Sequence, residues 1–200
     1  MKQLFVIYNA STDASIVDLL RNYGSDRKVE LQMLQTDCSE VPVFSQKDIL
    51  ALVADISDGT LSPDLLEAIM LHVLEGGDLL FLAEGTKTRG VHELNLMMGA
   101  RLLREMPYSE ISVTAENDPL TVGFEAAELW DSAWIFERSV FDDAQVLISM
   151  TLGQQQYPLV WKRSWYLGQV YCMATGLPAS ARSNYSPVLH NILDAMGREE

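Results

Sequence analysis

The sequence predicts a three-layer α/β fold, in which helices cover a parallel core sheet that antiparallel strands extend in the second half. In the first half, short apolar segments alternate with segments of helical periodicity, as in strand–helix–strand units. In the second half, several strand-like segments follow one another with short connections. The chain has 200 residues and is 48% hydrophobic, which suits one domain, expected over residues 1–200, with a full-sized core.

Four strands and two helices are predicted in the first half. The first helix has capping side chains at residues 11–13 and an expected end at Gly24. The second helix begins at Ser62-Pro63 and ends at Gly76-Gly77. Helices of this length between strands imply right-handed crossovers and therefore parallel strands. The predicted strands are residues 4–8, 29–34, 49–56 and 79–82.

The second half is predicted to be mostly strand, with a helix at its end. Arg163 and Ser164 separate two strand-like segments and are expected to form the turn of a hairpin. A second Ser-Pro pair, Ser186-Pro187, is expected to begin the last helix, which Gly197 ends. The predicted strands are residues 110–115, 145–150, 157–162 and 165–174.

The formal net charge of -14 argues against several classes of partner. Such a surface repels nucleic-acid phosphates and anionic lipid heads, so we expect no nucleic-acid and no membrane partner. Cys38 and Cys172 lie far apart and lack zinc-site spacing, so neither a metal nor a cofactor is expected. The apolar run at the N-terminus is too short for a signal peptide, and the expected location is the cytoplasm.

Several segments, in this order, resemble a known family. A glycine pair precedes an apolar strand, an Asn-containing helix ends in a glycine turn, and an Asp-Pro-Leu-Thr segment follows. The chain is similar in these segments to the trehalose-utilisation (ThuA-like) proteins of the class I glutamine amidotransferase-like superfamily. The resemblance implies a flavodoxin-like fold and a link to carbohydrate use. The segments are residues 74–82, 94–100, 118–124, 130–134, 158–161 and 168–171, followed by Gly176.

The chain departs from this family where the family has histidines. Ala83, Asp118 and Leu177 stand at positions where the family has His. Amidotransferase chemistry also needs a thiolate at the turn after the strand and a His to activate it. Neither Cys38 nor Cys172 lies at that turn, and no His-x-Glu pair occurs. The resemblance therefore implies the fold without glutamine hydrolysis.

Candidate site residues follow from the rule that parallel α/β sheets bind ligands beyond the carboxyl ends of their strands. The residues that this rule selects are Asn9, Asp55, Ser57, Glu84, Thr86, Thr175 and Gly176.

Glu84 is the strongest candidate for chemistry, because it lies in the turn after the strand at 79–82. It could act as a general base or bind sugar hydroxyls, or it could be a turn residue paired with Lys87 or Arg89. Asp118 and Asp131 could join it as paired carboxylates, as in glycosidases, although Asp118 before a proline also suits a simple turn.

Two further side chains are candidates for ligand contact. His92 could swing toward Glu84 and supply an imidazole, although a surface position is the simpler interpretation. Trp134 could stack on a sugar ring, although aromatic residues at strand spacing are commonly core residues.

Three hypotheses about function remain open at this stage. The first is a binding or accessory protein for a small polar or sugar-like ligand. The second is a hydrolase or isomerase that uses Glu84, Asp118 and Asp131. The third is an interaction module that forms a homo-oligomer.

Overall fold

A computed structural model describes residues 2–138 and 143–197. It contains eleven strands, four α-helices and two short 3-10 helices within these residues. The strands are β1 Gln3–Tyr8, β2 Glu30–Gln35, β3 Ile49–Leu52, β4 Asp78–Leu82, β5 Ala100–Glu105, β6 Ser109–Ala115, β7 Ala127–Asp131, β8 Trp134–Arg138, β9 Gln145–Leu152, β10 Gln155–Trp165 and β11 Gly168–Met173. The helices are α1 Ala14–Arg27, α2 Pro63–Leu74, α3 His92–Met98 and α4 Arg182–Ala195, and the 3-10 helices are Ala83–Thr86 and Pro119–Thr121.

Nine of the strands form one sheet in the order β2-β1-β3-β4-β11-β10-β9-β6-β7. The five strands from β2 to β11 are parallel, and the pairs from β11 to β7 are antiparallel. Strands β5 and β8 form a separate antiparallel ribbon. The predicted α/β fold, with a parallel core and antiparallel strands added in the second half, is confirmed.

The central strands are apolar on both faces, because helices cover both sides of the parallel part of the sheet. All four residues of β3 are fully buried, and so are Leu79–Leu82 of β4. Ser62 caps α2 by accepting a hydrogen bond from the Leu65 amide, as the Ser-Pro pattern predicts. Within the described residues, no helix is both long and apolar enough to cross a bilayer.

Several predicted boundaries of elements are wrong, and β3, for example, ends at Leu52 rather than at Ile56. Helix α1 continues past Gly24 to Arg27, and the left-handed residue that ends it is Lys28. The hairpin turn lies at Tyr166 and Leu167 instead of at Arg163 and Ser164. Arg163 is a buried strand residue whose guanidinium donates to the Leu96 carbonyl oxygen.

The start predicted for the last helix is also wrong. Helix α4 begins at Arg182 and holds Pro187 inside. The Asn184 and Tyr185 amides both donate to the Ala181 carbonyl oxygen, so a helical turn exists before the proline. Three strands, β5, β7 and β8, are not predicted by the sequence patterns.

Strand direction divides the molecule into two edges. Strands β1, β3, β4 and β11 end at the carboxyl edge. Strand β7 ends there too, because four successive antiparallel pairs lead from β11 to β7 and an even number of reversals restores the strand direction. Strand β6 runs the other way and ends at the opposite edge. This division determines which of the candidate residues can meet.

Candidate functional site

The turn after β4 has the shape of a strained elbow. Ala83 has φ +51°, in the left-handed region that favours glycine, and it is buried. Gly85 packs so closely on β3 that a Cβ there would lie 1.8 Å from the Leu52 carbonyl oxygen. Such strain is characteristic of functional turns. The residue at this elbow, however, is an alanine and carries no nucleophile.

A buried lysine controls the charge at the elbow. The Lys87 Nζ lies 2.6 Å from Glu84 Oε2, 3.0 Å from Glu105 Oε2 and 3.8 Å from Asp55 Oδ2. It also lies 5.1 Å from the centre of the Trp134 ring, in a cation–π arrangement. Burial lowers the pKa of Lys87, but the hydrogen bonds and charges of Glu84 and Glu105 outweigh burial and raise it overall. Lys87 therefore stays charged and partly neutralises three carboxylates.

This arrangement limits what Glu84 and Trp134 can do. The Glu84 carboxylate is already bound by an ammonium group, as the simpler interpretation of this residue expected. Trp134 is only 3% exposed and its ring faces Lys87, so it has little surface left for a sugar ring.

An open cleft lies beside this cluster at the carboxyl edge. The sheet order reverses between β1 and β3, and the cleft of about 590 Å³ opens there. Such a switch point is where open α/β sheets bind their ligands. Polar side chains at the ends of β1, β2 and β3 line the cleft. They include Asn9, Ser11, Asp37, Asp55, Ser57 and Thr60.

Three short motifs of the same type shape the rim of this cleft. In each, an Asn or Asp side chain accepts hydrogen bonds from the amide and the hydroxyl of the Ser or Thr two residues later. The Asn9 amide group also donates to the Asp55 carbonyl oxygen at 2.8 Å, which joins two of the motifs. These hydrogen bonds hold the polar groups of the rim in defined positions. The motifs are Asn9 with Ser11, Asp55 with Ser57, and Asp58 with Thr60.

Asp131 forms a second, buried group at the same edge. Its carboxylate accepts hydrogen bonds from the Thr175 hydroxyl and, at 3.2 Å, from the Gly176 amide. The Tyr185 hydroxyl is buried nearby without a hydrogen bond of regular geometry, although it lies close enough to influence the carboxylate. Burial raises the pKa of Asp131 to about 6, against the lowering effect of these donors.

Asp118 lies at the opposite edge, in the turn that follows β6. It caps the 3-10 helix by accepting from the Leu120 amide, and its other oxygen accepts from Gln145 and Lys162. These donors outweigh burial and lower the pKa of Asp118. Because strands of five or six residues are about 17–20 Å long, the structure does not bring Asp118 to Glu84 or Asp131.

Thr86 and His92 contribute to structure rather than to the cleft. Thr86 is fully buried, and its hydroxyl donates to the Ala83 carbonyl oxygen at 2.8 Å. His92 is the exposed first residue of α3 and makes no hydrogen bond with Glu84 in the described part of the chain.

The predicted site residues thus fall into three groups. Asn9, Ser57 and Glu84 surround the cleft or its neighbouring lysine, Thr175 and Gly176 surround Asp131, and Asp118 stands apart. Trp134 connects the first two groups. Its ring faces Lys87, and its amide donates to the carbonyl oxygen of Ala174, the residue before Thr175, at 3.3 Å.

Sequence reasoning offered a pair of Glu84 with Lys87 as one alternative, but it did not foresee that Lys87 also binds Glu105 or that Tyr185 lies beside Asp131. The spacing of Glu84 and Lys87 was a usable signal, because residues three apart meet on a helical turn. Glu105 and Tyr185 come from elements far away in sequence, which no local pattern relates to the elbow. Across the described ranges, no group of three or more His, Cys, Asp or Glu side chains could hold a metal ion.

Comparison with known proteins supports the fold. No family model matches the chain, and no curated protein matches it in sequence. Among solved structures, it is similar to the cytoplasmic protein STM1381 of Salmonella typhimurium LT2, with a TM-score of 0.71 and 17% identity over 99% of this chain and 100% of that one. It is also similar to a protein of Parabacteroides merdae ATCC 43184 described as ThuA-like, with a TM-score of 0.69 and 10% identity over 98% and 90%. The solved structures thus support a ThuA-like fold for this chain.

Larger carbohydrate enzymes contain the same fold as one part of their chain. The β-galactosidase of Rahnella sp. R3 matches with a TM-score of 0.69 and 12% identity, over 97% of this chain and 31% of that one. The carbohydrate deacetylase Agd3 matches with a TM-score of 0.67 and 13% identity, over 98% and 32%. The chain therefore spans about a third of the length of these enzymes.

Proposed function

We propose that this protein binds a small polyhydroxyl, sugar-like ligand in the carboxyl-edge cleft and carries no amidotransferase activity. The observation that supports this most is the cleft of about 590 Å³ at the switch point of the sheet, with a hydrogen-bonded rim of hydroxyls, an amide and carboxylates. Its volume lies within the range of small-molecule sites. Polar groups held in place before binding can contact several hydroxyls at a low entropic cost.

The charge of the cleft narrows the ligand class. Three aspartates, Asp37, Asp55 and Asp58, line the cleft, and the cation of Lys87 lies 3.8 Å from only one of them. This excess of negative charge favours a neutral or amine-bearing sugar over a sugar phosphate. The names of the similar β-galactosidase and carbohydrate deacetylase agree with a sugar-related role, and a cytoplasmic location is part of the proposal.

The hydrolase or isomerase alternative receives less support from the geometry. A pair of acid and base carboxylates must lie about 5–9.5 Å apart around the bond that they cleave. Asp118 lies at the other edge, Asp131 is 0% exposed, and Glu84 is bound by Lys87. We therefore assign no reaction to these three residues.

Thermal-shift and calorimetric titration with glucosamine, neutral mono- and disaccharides and glucose 6-phosphate would test the proposal. A ligand at about a hundred times its Kd should raise Tm by roughly 5–10 °C in a chain of this size. Neutral and amine-bearing sugars should bind, and the phosphate should not.

Two variants locate the binding. Ser57→Trp fills the cleft from its rim and should abolish the shift, and Asp37→Asn should weaken amino-sugar binding most. The matched control is Asp26→Asn, which removes the same charge from an exposed position in α1. If no sugar of the panel shifts Tm, or if Ser57→Trp binds as well as the wild type, the proposal is wrong.

A further inference from the structure

Trp130 lies on a strand that has a neighbour on one side only. Strand β7 is the last strand of the nine-stranded sheet, and no described strand pairs with its outer edge. The Trp130 side chain is 51% exposed and stacks on Tyr108, which is 53% exposed, with ring centres 5.7 Å apart. Open edges with large exposed aromatic groups favour association, and proteins commonly protect them.

Of the usual protections, β7 lacks lysine, proline and a bulge, although it is short and carries Glu128 and the buried Asp131. The strand has the sequence Ala-Glu-Leu-Trp-Asp, with neither lysine nor proline, and its register with β6 is continuous from Ala127 to Asp131. Edge strands that avoid pairing commonly carry such residues or a bulge. The edge is therefore able to accept a further extended segment along the residues before Asp131, which is buried, with the Trp130 carbonyl oxygen already bound by Ser180.

Two carboxylates flank Trp130 on the same face of the sheet. Glu110 lies directly opposite Trp130 on β6, and Glu128 lies two residues before it on β7. Residues in these relations share one face and are close neighbours. Both glutamates are exposed, and neither pairs with a cation within residues 2–138 and 143–197.

The aromatic pair is held in position before any partner binds. The Ser180 hydroxyl lies 3.0 Å from the Tyr108 hydroxyl and donates to the Trp130 carbonyl oxygen at 3.3 Å. These contacts fix Tyr108 beside the indole and reduce the entropy that a partner must overcome.

We propose that β7 receives an extended basic segment of a partner protein, with an arginine or lysine side chain on the Trp130 indole between Glu110 and Glu128. An indole is the best aromatic ring for a cation–π contact, and Arg is the commoner cation. Main-chain hydrogen bonds along an open strand edge supply affinity, and alternate side chains supply specificity. The net charge of -14 accelerates the approach of a basic partner.

Charge also distinguishes this partner from other occupants of the edge. A second copy of the chain carries the same net charge, and pairing of two β7 strands would bring like carboxylates together. Nucleic acid is repelled by the same glutamates. A neutral sugar could rest on the indole, but it would not use the two carboxylate charges.

The probe for this proposal is a fluorescein-labelled octapeptide of alternating Arg and Thr, measured by anisotropy with the full chain. We expect binding that weakens as salt rises from 50 to 300 mM, and no binding of an octapeptide of alternating Glu and Thr. Trp130→Leu keeps an apolar side chain but removes the indole, and it should weaken binding about tenfold or more. The double variant Glu110→Gln/Glu128→Gln should do the same.

The matched control is Glu40→Gln/Glu67→Gln, which removes the same two charges at exposed positions outside β6 and β7. It should change the Kd by less than about twofold, because its effect is only the loss of long-range charge. Equal weakening in both double variants, or wild-type affinity in Trp130→Leu, would overturn the proposal. So would sedimentation that shows a dimer lost on Trp130→Leu, since the occupant would then be a second copy.

Discussion

The ammonium of Lys87 lies 2.6 Å from the carboxylate of Glu84, at the strained turn that follows β4. The same ammonium approaches Glu105 on β5 and Asp55 after β3. Three elements that are distant in sequence are thus joined by one buried cation. A carboxylate that is an attractive catalytic candidate in the sequence is part of a structural ion cluster in the folded chain.

Removal of this cation should destabilise the protein. Lys87→Met keeps the bulk of the side chain and leaves Glu84, Glu105 and Asp55 to repel one another, so we expect a loss of about 1–3 kcal/mol at pH 7. The loss should be smaller when Glu84→Gln is also present, because one of the repelling carboxylates is then gone. Urea unfolding of the single and double variants at pH 7 measures this, with the exposed Lys28→Met as the control. Equal losses with and without Glu84→Gln would contradict the ion-cluster interpretation.

Asp131 should make stability fall with rising pH. Its pKa is raised in the folded state to about 6, from an ordinary value of 3.8. Its contribution is therefore fully present below pH 4 and is lost as pH rises through about 6. The free energy of unfolding of Asp131→Asn, relative to that of the wild type, should rise by up to about 3 kcal/mol between pH 4 and pH 7. Urea unfolding of both proteins across this range, with Asp26→Asn as the control, tests the sign; an unchanging difference would contradict it.

Asp118 should have the opposite dependence. Its pKa is lowered in the folded state, so its contribution is present above pH 4 and is lost as pH falls further. Asp118→Asn keeps the cap of the 3-10 helix but removes the charge that faces Lys162, and it should cost about 1–2 kcal/mol at pH 7. The cost should vanish near pH 2. Equal costs at pH 2 and pH 7 would show that the charge is unimportant.

Gly85 should not tolerate a side chain. The Cβ of Gly85→Ala would lie 1.8 Å from the Leu52 carbonyl oxygen, so the elbow must move away from β3. We expect a loss of more than about 3 kcal/mol, or failure to fold. Gly153→Ala is the control, because Gly153 has φ +61° and nothing within 4 Å of an added Cβ. It should cost only about 1 kcal/mol of backbone strain, measured by thermal unfolding; similar losses in both would refute the packing argument.

Local patterns in the sequence were sufficient for the parallel half of the fold. Apolar runs at β1, β3 and β4, the cap at Ser62 and the glycines at 76 and 77 are short-range signals, and each depends on neighbours within a few residues. The rule that ligands bind beyond strand ends also selected Asn9, Asp55 and Ser57, which line the cleft.

The sequence by itself therefore determined the α/β class, the parallel core and the polar residues at the ends of its strands. Only the tertiary structure decided which of these residues meet. The direction of β6 carried Asp118 to the opposite edge, and β5 brought Glu105 to Lys87. Burial beside α4 gave Asp131 its raised pKa. These outcomes depend on contacts between residues far apart in the chain, whose closeness follows from strand order and direction rather than from any local pattern.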